Sequence, residues 1–401
     1  MGPDNSASAS IHGVSIHGVE EANLIAALEE AVHAGLPGIS CAIATKNGVI
    51  WQGCAGDADI HTGSPIEERH LFGIGSITKV FMSVIALQLV EENRLDLGKT
   101  VGFYLDSGVT DGIANAASAT ISSLLSHTSG IASWEDDPVW IREGRGRDID
   151  PPRIWGKTDT LEYICSKAAQ EEQSIPDGPV PGKFSYSNTN FTFLGLVIEA
   201  ITGNPVEAEI RSRITKPLNL ESIYLEGFEK STPCPVPHRY HFVTPEFRET
   251  AGVSPQFPLV KADLMDASKS NLSVEWVAGG MLSSGADLAK FFLAIRDGML
   301  LTPSSMELMA TWIPTGNQGL EISHGLFRTD RKNGATIGHD GGVLGFTGFA
   351  WWAEDGDCVV TALSNVGAMH CGKALPAPII GRGDTFVDLA KALANRYNLA
   401  S

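Results

Sequence analysis

One stretch of this chain, residues 71–90, constrains the fold more than any other. Two glycines, Gly73 and Gly75, interrupt the segment at its beginning, and apolar residues then recur at helical spacing from Val80 to Leu89. A helix that is apolar on nearly every side requires a core that surrounds it. The pattern therefore predicts a buried helix against which the other elements pack.

Two polar residues lie at the start of this predicted helix. Ser76 falls in the first turn and Lys79 follows three residues later, so their side chains project from one face. The unpaired N–H groups and the positive dipole end of a helix favour an anion on or beside Ser76. Burial lowers the pKa of a lysine, so Lys79 is a candidate base for the serine proton. The plainer alternative is that Ser76 only caps the helix.

The composition is that of a globular chain with an ample core. Of 401 residues, 43% are hydrophobic and 19% are charged, which suggests two or three domains or one domain with an inserted lobe. The formal charge of −18 disfavours nucleic acid or an anionic membrane as a partner. The six cysteines are dispersed without metal-ligand spacing, which favours free thiols in a reducing compartment.

The N-terminal residues do not read as a secretory signal. Residues 1–19 lack a basic segment followed by an apolar one. We therefore expect a flexible tail over residues 1–19 and a cytoplasmic location.

Helical and strand-like patterns frame the ends of the chain. Residues 20–34 predict an amphipathic helix, and two β-prone runs joined at Asn47 and Gly48 predict a hairpin. Strand-like runs return after residue 271 and are followed by a helix over 384–397. The sequence thus predicts an α+β domain from residues 20–96 and 271–401, with an antiparallel sheet flanked by the first and last helices.

The intervening residues differ in character. Residues 97–270 show short helical patterns and irregular loops, without strand-like alternation. Within them, 161–169 predict a helix and 134–158 predict a long surface loop. We expect a mostly helical lobe inserted into the α/β part.

A second polar motif lies in this region. Tyr186 and Asn188 form the chain's sole Tyr-x-Asn and precede an apolar helical pattern. A tyrosine beside a cationic lysine can shuttle protons, and an asparagine can both donate to and accept from a substrate amide. Alternatively, they are a core phenol and a turn residue.

A third motif, residues 338–342, is predicted to form a turn. It includes His339, which can hydrogen-bond a tyrosine or a substrate, and glycines that let the backbone approach a ligand closely. An N–H at the strand edge here can complete an oxyanion hole. Taken alone, the motif is equally an ordinary turn.

The three motifs in this order resemble those of the penicillin-recognising serine hydrolases. These motifs are Ser76-x-x-Lys79, Tyr186-x-Asn188 and His339-x-Gly341. Flanking segments that share the resemblance are 124–130, 184–191, 216–220 and 284–288. The superfamily includes class C β-lactamases, D-Ala-D-Ala carboxypeptidases, D-amino-acid amidases and aminopeptidases, and related esterases and acyltransferases. The resemblance covers most of residues 20–400 and implies a β-lactamase/transpeptidase-like fold.

The resemblance also implies roles for the motif residues. Ser76 would be the acylated nucleophile, and Lys79 and Tyr186 would share general acid and base catalysis. Asn188 would orient the substrate amide, and His339 would stand where other members have a lysine.

An oxyanion hole is implied as well. It would consist of the backbone N–H groups of Ser76 and of Gly342, the residue after the third motif. Serine acyl transfer needs no metal or organic cofactor, so none is expected. The expected partner is a small-molecule substrate, and the oligomeric state is left open.

The third motif departs from the Lys-Thr-Gly of true β-lactamases. Loss of the lysine charge weakens the capture of a substrate carboxylate, and Arg328 on the preceding strand is a candidate replacement. Asp340 adds negative charge where other members often have Thr, Ser or Gly. It is a candidate for binding the free amino group of an amino-acid amide or peptide, or else a turn aspartate.

Three hypotheses for function follow. The first is hydrolysis of D-configured amino-acid amides or short peptides through an acyl-enzyme on Ser76. The second is an esterase or acyltransferase that acts on small esters or thioesters. The third is a non-catalytic scaffold, against which the intact set of Ser76, Lys79 and Tyr186 argues.

Overall fold

The computed structural model describes residues 18–165, 178–372 and 383–400. Nearly all of the predicted N-terminal tail, residues 1–17, lies outside this part of the chain, as do residues 166–169 of the predicted helix over 161–169.

A nine-stranded antiparallel sheet forms the centre of the structure. Its spatial order is β10-β11-β12-β13-β14-β15-β1-β2-β3, so the N-terminal hairpin pairs with a strand from the C-terminal part of the chain. All strands in chain order are β1 Gly38–Thr45, β2 Gly48–Asp59, β3 Ser64–Pro65, β4 Phe72–Gly73, β5 Ile223–Leu225, β6 Tyr240–Phe242, β7 Leu259–Lys261, β8 Leu264–Asp266, β9 Met281–Ser283, β10 Ile313–Pro314, β11 Leu320–Ile322, β12 Phe327–Thr329, β13 Thr336–Val343, β14 Phe346–Ala353, β15 Val359–Ser364 and β16 Val366–Gly367.

Helices cover both faces of this sheet. The helices in chain order are α1 Val19–His33, α2 Thr78–Glu91, α3 Val101–Tyr104, α4 Ser107–Thr110, α5 Ile121–Leu125, α6 Pro138–Trp140, α7 Asn188–Thr202, α8 Val206–Ile210, α9 Pro245–Thr250, α10 Trp276–Gly279, α11 Gly285–Arg296, α12 Pro303–Met309 and α13 Gly383–Ala400. The first and last helices pack together on one face, and α11 packs on the other. The predicted antiparallel sheet flanked by the terminal helices is confirmed.

The buried helix α2 lies in the larger of two apolar clusters. This cluster joins the α11 face of the sheet to the short helices of the central region, and its members include Val80, Val84 and Phe291. The smaller cluster fills the face under α1 and α13 and includes Leu28 and Phe349. Eleven of the 14 residues of α2 are buried, as its continuous apolar pattern predicts.

The central region contains strands that its pattern did not predict. Strands β5, β6, β7 and β8 are three residues each and form parts of two small sheets, β16-β6-β8-β7 and β4-β9-β5. Three of them are buried at every position, so no polar residue alternates along them. Runs this short and uniformly buried carry no periodicity.

Two other local predictions are wrong. The segment 134–158, predicted as a surface loop, buries Trp134, Trp140 and Arg145. The third motif, predicted as a turn, lies within the extended strand β13. Its glycines allow the strand to lie close to the segment that leads into α2. A Cβ on Gly341 would lie 1.9 Å from the carbonyl oxygen of Ile74 in that segment.

This contact predicts that Gly341→Ala is destabilising. The added methyl group forces β13 away from the segment that leads into α2, at a cost of about 1–3 kcal/mol in the free energy of unfolding. Chemical denaturation measures this cost. Gly108→Ala in α4 is the matched control, because a Cβ there meets no atom within 4 Å. Equal stability of the two variants would contradict the close approach.

Candidate active site

Ser76 and Lys79 lie at the junction of a short turn and a long buried helix. Ser76 is in the 3-10 turn Gly75–Ile77, which runs directly into α2, and Lys79 is the second residue of that helix. The Ser76 side chain borders a cavity, whereas Lys79 is fully buried. Lys79 Nζ donates to Ser76 Oγ at 2.9 Å, so the predicted pair is brought together.

Two further acceptors fix the lysine. Nζ of Lys79 donates to Asn188 Oδ1 at 2.6 Å and to the carbonyl oxygen of Ala278 at 2.6 Å. Asn188 is the first residue of α7, and Ala278 lies in α10. Three segments distant in sequence therefore hold the ammonium group beneath the serine hydroxyl.

Tyr186 borders the same cavity from the loop before α7. The Lys79 Nζ lies 5.1 Å from the centre of its ring, and the ring stacks on that of His127 at 4.2 Å. The Tyr186 hydroxyl has no well-aligned hydrogen bond to any described residue. Burial raises the pKa of this phenol, and the nearby Ser76 hydroxyl partly offsets the rise. The phenol is thus protonated at neutral pH.

Strand β13 brings the third motif to the serine. A Cβ on Gly75, which has a φ of +54°, would lie 2.5 Å from the backbone nitrogen of Gly342. Only glycine tolerates both this conformation and this approach. The backbone of Gly342 thus lies beside the turn that carries Ser76, where the resemblance predicts an oxyanion hole.

His339 on β13 is buried and neutral. Burial, and secondarily the charge of Lys79, lowers its pKa to about 3. Its Nδ1 lies 2.5 Å from the carbonyl oxygen of Asp340, which makes Nδ1 the donor and leaves Nε2 as an acceptor. Nε2 is buried and has no partner among the described residues. A neutral imidazole cannot supply the positive charge of the lysine found in true β-lactamases.

The two predicted charged contacts have different outcomes. Asp340 borders the cavity. Arg328 does not border it. Its guanidinium group pairs with Glu321, Asp330 and Glu354. The expectation that Arg328 binds a substrate carboxylate is therefore wrong.

A buried charge cluster lies behind the lysine, and the sequence analysis missed it. The guanidinium of Arg145 pairs with Glu135 at 2.5 Å and with Glu275 at 2.8 Å. Glu135 also accepts from the Asn188 side chain and borders the cavity. These residues come from three separate segments without a shared motif. The available signal was a run of Trp and charged residues in a supposed surface loop.

The cluster acts on Lys79. Burial lowers the pKa of Lys79 to about 7, while the charges of Glu135 and Glu275 hold it up and that of Arg145 opposes them. A lysine with such a pKa is available as a base near neutral pH.

The cavity that these groups border has a volume of about 420 Å³. Much of its wall is apolar, and contributors to that part are Leu320, Phe327, Trp351, Ala368 and Met369. It is large enough for a small-molecule substrate. Across residues 18–165, 178–372 and 383–400, His, Cys, Asp and Glu side chains form no group of three suited to a metal ion.

Comparison with known proteins places the chain in a family. A family model described as Beta-lactamase matches residues 24–373. Esterase EstB from Burkholderia gladioli is 28% identical over 214 residues, which cover 53% of this chain and 52% of the esterase. Penicillin-binding protein 4 from Amycolatopsis lactamdurans is 29% identical over 41% of each chain. The chain thus spans about half the length of these curated relatives.

Solved structures resemble nearly the whole chain. A D-stereospecific amidohydrolase from Streptomyces sp. has a TM-score of 0.71 and 28% identity, covering 86% of this chain and 94% of its own. A D-amino acid amidase from Ochrobactrum anthropi SV3, solved with D-phenylalanine, has a TM-score of 0.76, 22% identity and coverage of 94% and 99%. The second likeness establishes the fold alone.

One observation bears on membranes. None of the helices in the described part of the chain combines the length and the apolar character needed to cross a bilayer.

The pKa of Lys79 predicts how Ser76 reactivity depends on pH. The rate at which a fluorophosphonate labels Ser76 should rise about tenfold per pH unit below about pH 7 and level off above it, because only neutral Lys79 accepts the serine proton. Glu135→Gln should move this midpoint to lower pH, since it removes a negative charge that raises the lysine pKa. Glu221→Gln, at an exposed position, should not; a common midpoint for both variants would sink this account.

The charge cluster also predicts a stability effect. Arg145→Met leaves two buried carboxylates without their cation and should cost about 3–5 kcal/mol in the free energy of unfolding. Arg69→Met is the control, because Arg69 and its partner Glu67 are 69% and 46% exposed and this pair should contribute less than about 1 kcal/mol. Urea denaturation at pH 7 distinguishes the two. Similar losses in both variants would contradict the role of the cluster.

Proposed function

Because the chain belongs to the beta-lactamase family, we propose that it is a serine hydrolase that cleaves amide or peptide bonds of D-configured amino-acid substrates through an acyl-enzyme on Ser76. The observation that carries this proposal is the 2.9 Å contact of Lys79 Nζ with Ser76 Oγ at the edge of a cavity of about 420 Å³. A lysine that only stabilised the core would not have to contact a partly exposed serine at the edge of a cavity.

Acylation uses the serine and the lysine. Neutral Lys79 accepts the proton of Ser76 as Oγ attacks the carbonyl carbon of the substrate. Charge then develops on the carbonyl oxygen, and the backbone N–H groups of Ser76 and Gly342 stabilise it. Because Lys79 is held by Asn188 and Ala278, its nitrogen does not have to reorganise for this step.

Departure of the amine requires a proton. Tyr186 borders the cavity with a protonated hydroxyl close to that of Ser76, so it can donate to the leaving nitrogen of a substrate bonded to Ser76. The proton held on Lys79 then restores the phenol. His339 lies beside it, at 6.4 Å between ring centres, with Nε2 available to accept from Tyr186 or from a substrate N–H. Water repeats the sequence on the acyl-enzyme and releases the acid.

One comparison supports the substrate class. The Streptomyces protein, named a D-stereospecific amidohydrolase, matches over 94% of its length at 28% identity. Asn188, which the resemblance predicts to orient the substrate amide, is buried outside the cavity lining, with its side chain engaged by Lys79 and Glu135, so it positions the lysine instead.

An esterase of the same fold is the second candidate. The observation in its favour is the largely apolar wall of the cavity, together with 28% identity to the esterase EstB over about half of each chain. An ester leaving group needs less help from Tyr186, because an alkoxide or phenoxide leaves more readily than an amide nitrogen.

Turnover assays on wild type and Ser76→Ala separate these functions. We expect wild type to hydrolyse D-phenylalaninamide faster than L-phenylalaninamide, and Ser76→Ala to lose at least about 10³-fold in kcat. p-Nitrophenyl butyrate serves as the simple ester. Ester cleavage without amide cleavage would assign the protein to the esterases. Unchanged activity in Ser76→Ala would exclude Ser76 as the nucleophile, and a lack of any turnover or serine labelling would favour a non-catalytic scaffold.

A further inference from the structure

The proposed mechanism does not use the half-buried carboxylate of Asp340, which borders the cavity. Asp340 lies two residues before Gly342 on β13, so the two residues point to the same face of the sheet. Two residues of a strand span about 6.6 Å. Both residues border the cavity. A substituent next to the acyl carbon of a substrate held at Gly342 is therefore within reach of Asp340.

The carboxylate of Asp340 is incompletely satisfied. Its side chain accepts a hydrogen bond from Trp351, but Oδ1 is buried and has no partner among the described residues. Burial raises the pKa of Asp340 to about 6, so most of the group is ionised at pH 7. A buried carboxylate ordinarily has a cation or several donors beside it.

The nearby arginines are engaged elsewhere. The guanidinium of Arg331 stacks on the ring of Trp351 at 4.1 Å, donates to the Thr336 hydroxyl at 3.1 Å and pairs with Asp384 at 3.3 Å. Arg328 is outside the cavity lining and pairs with three carboxylates of its own. Neither forms an ion pair with Asp340, although the charge of Arg331 lowers the pKa of Asp340 and partly offsets the effect of burial.

No other charged group of the lining supplies a cation to Asp340. Glu135, the second carboxylate of the lining, pairs with Arg145, and His339 is neutral. Lys79 lies beneath Ser76, in contact with Asn188 and a backbone carbonyl. A ligand carboxylate near Asp340 would meet repulsion, whereas an ammonium group would supply the missing donors and charge.

We propose that Asp340 forms a subsite for the protonated amino group of the substrate, so that the enzyme selects amino-acid amides with a free amine and disfavours ligands that place a carboxylate there. This inference rests on the proposed function, because it specifies the substrate of the same site. Trp351 holds one side of the carboxylate, and the ammonium group donates to Oδ1. The subsite explains how an apolar cavity selects a charged ligand.

Binding measured in the Ser76→Ala background tests the subsite without turnover. The ligands are D-phenylalaninamide, which carries the ammonium group at about pH 7, 3-phenylpropanamide, which lacks it, and benzylmalonic acid monoamide, which has a carboxylate in place of the ammonium group. Isothermal titration calorimetry should give D-phenylalaninamide an affinity about 10- to 100-fold above that of 3-phenylpropanamide. The monoamide should bind more weakly than 3-phenylpropanamide.

The added substitution Asp340→Asn should remove this preference and leave the affinity for 3-phenylpropanamide within about threefold. Asparagine has the same shape and still accepts from Trp351, so the variant should fold. Asp330→Asn, at an exposed position on the Arg328 side, is the control and should keep the preference. A preference that persists in Asp340→Asn, or no measurable binding of D-phenylalaninamide to Ser76→Ala, would overturn the subsite. Failure of the proposed function is detected separately, in the turnover assays, as activity that does not depend on Ser76.

Discussion

The hydrogen bonds of one buried ammonium group hold the site together. Lys79 Nζ contacts the serine of the turn before α2, the first residue of α7 and a carbonyl of α10. These elements come from widely separated parts of the chain and pack in the same apolar cluster. Because a charge at this depth is costly without partners, their arrangement around the lysine is constrained by electrostatics as well as by packing.

The cluster of Arg145, Glu135 and Glu275 explains how Lys79 can be buried and still have a pKa suited to a general base. Two carboxylates beside two cations leave the interior close to neutral, which keeps the lysine pKa from falling further. A stronger negative field would hold Lys79 protonated and unable to accept a proton. The balance among these four groups, rather than burial alone, sets the lysine near the pH at which a general base is effective.

The sequence was sufficient for the parts of the molecule that follow local rules. The patterns of residues 20–34 and 384–397 predicted the terminal helices, and the hairpin at Gly48 and the strand-like runs after residue 271 predicted the sheet. The pairing of Ser76 with Lys79 followed from helical spacing, whereas their grouping with Asn188 was expected from the resemblance to the serine hydrolases. Prediction failed where long-range pairing decides the structure. Arg145 was assigned to a surface loop because its pairing with Glu275, 130 residues away, leaves no local pattern, and Arg328 lies outside the cavity lining because three carboxylates hold its guanidinium group.

In strand β13, the backbone at Gly341 and Gly342 is constrained by close contacts, whereas the side chain at residue 340 is not. The backbone of Gly341 and Gly342 must approach the turn of Ser76, so no side chain is tolerated at Gly341. Asp340 contributes its side chain to the cavity, and its backbone pairs with β14 regardless of that side chain. The sign of charge at this position can therefore change without displacing Gly342 or the serine turn. Under the proposed function, we therefore expect a single substitution at residue 340 to alter which substrate is bound while Ser76, Lys79 and Gly342 stay in place.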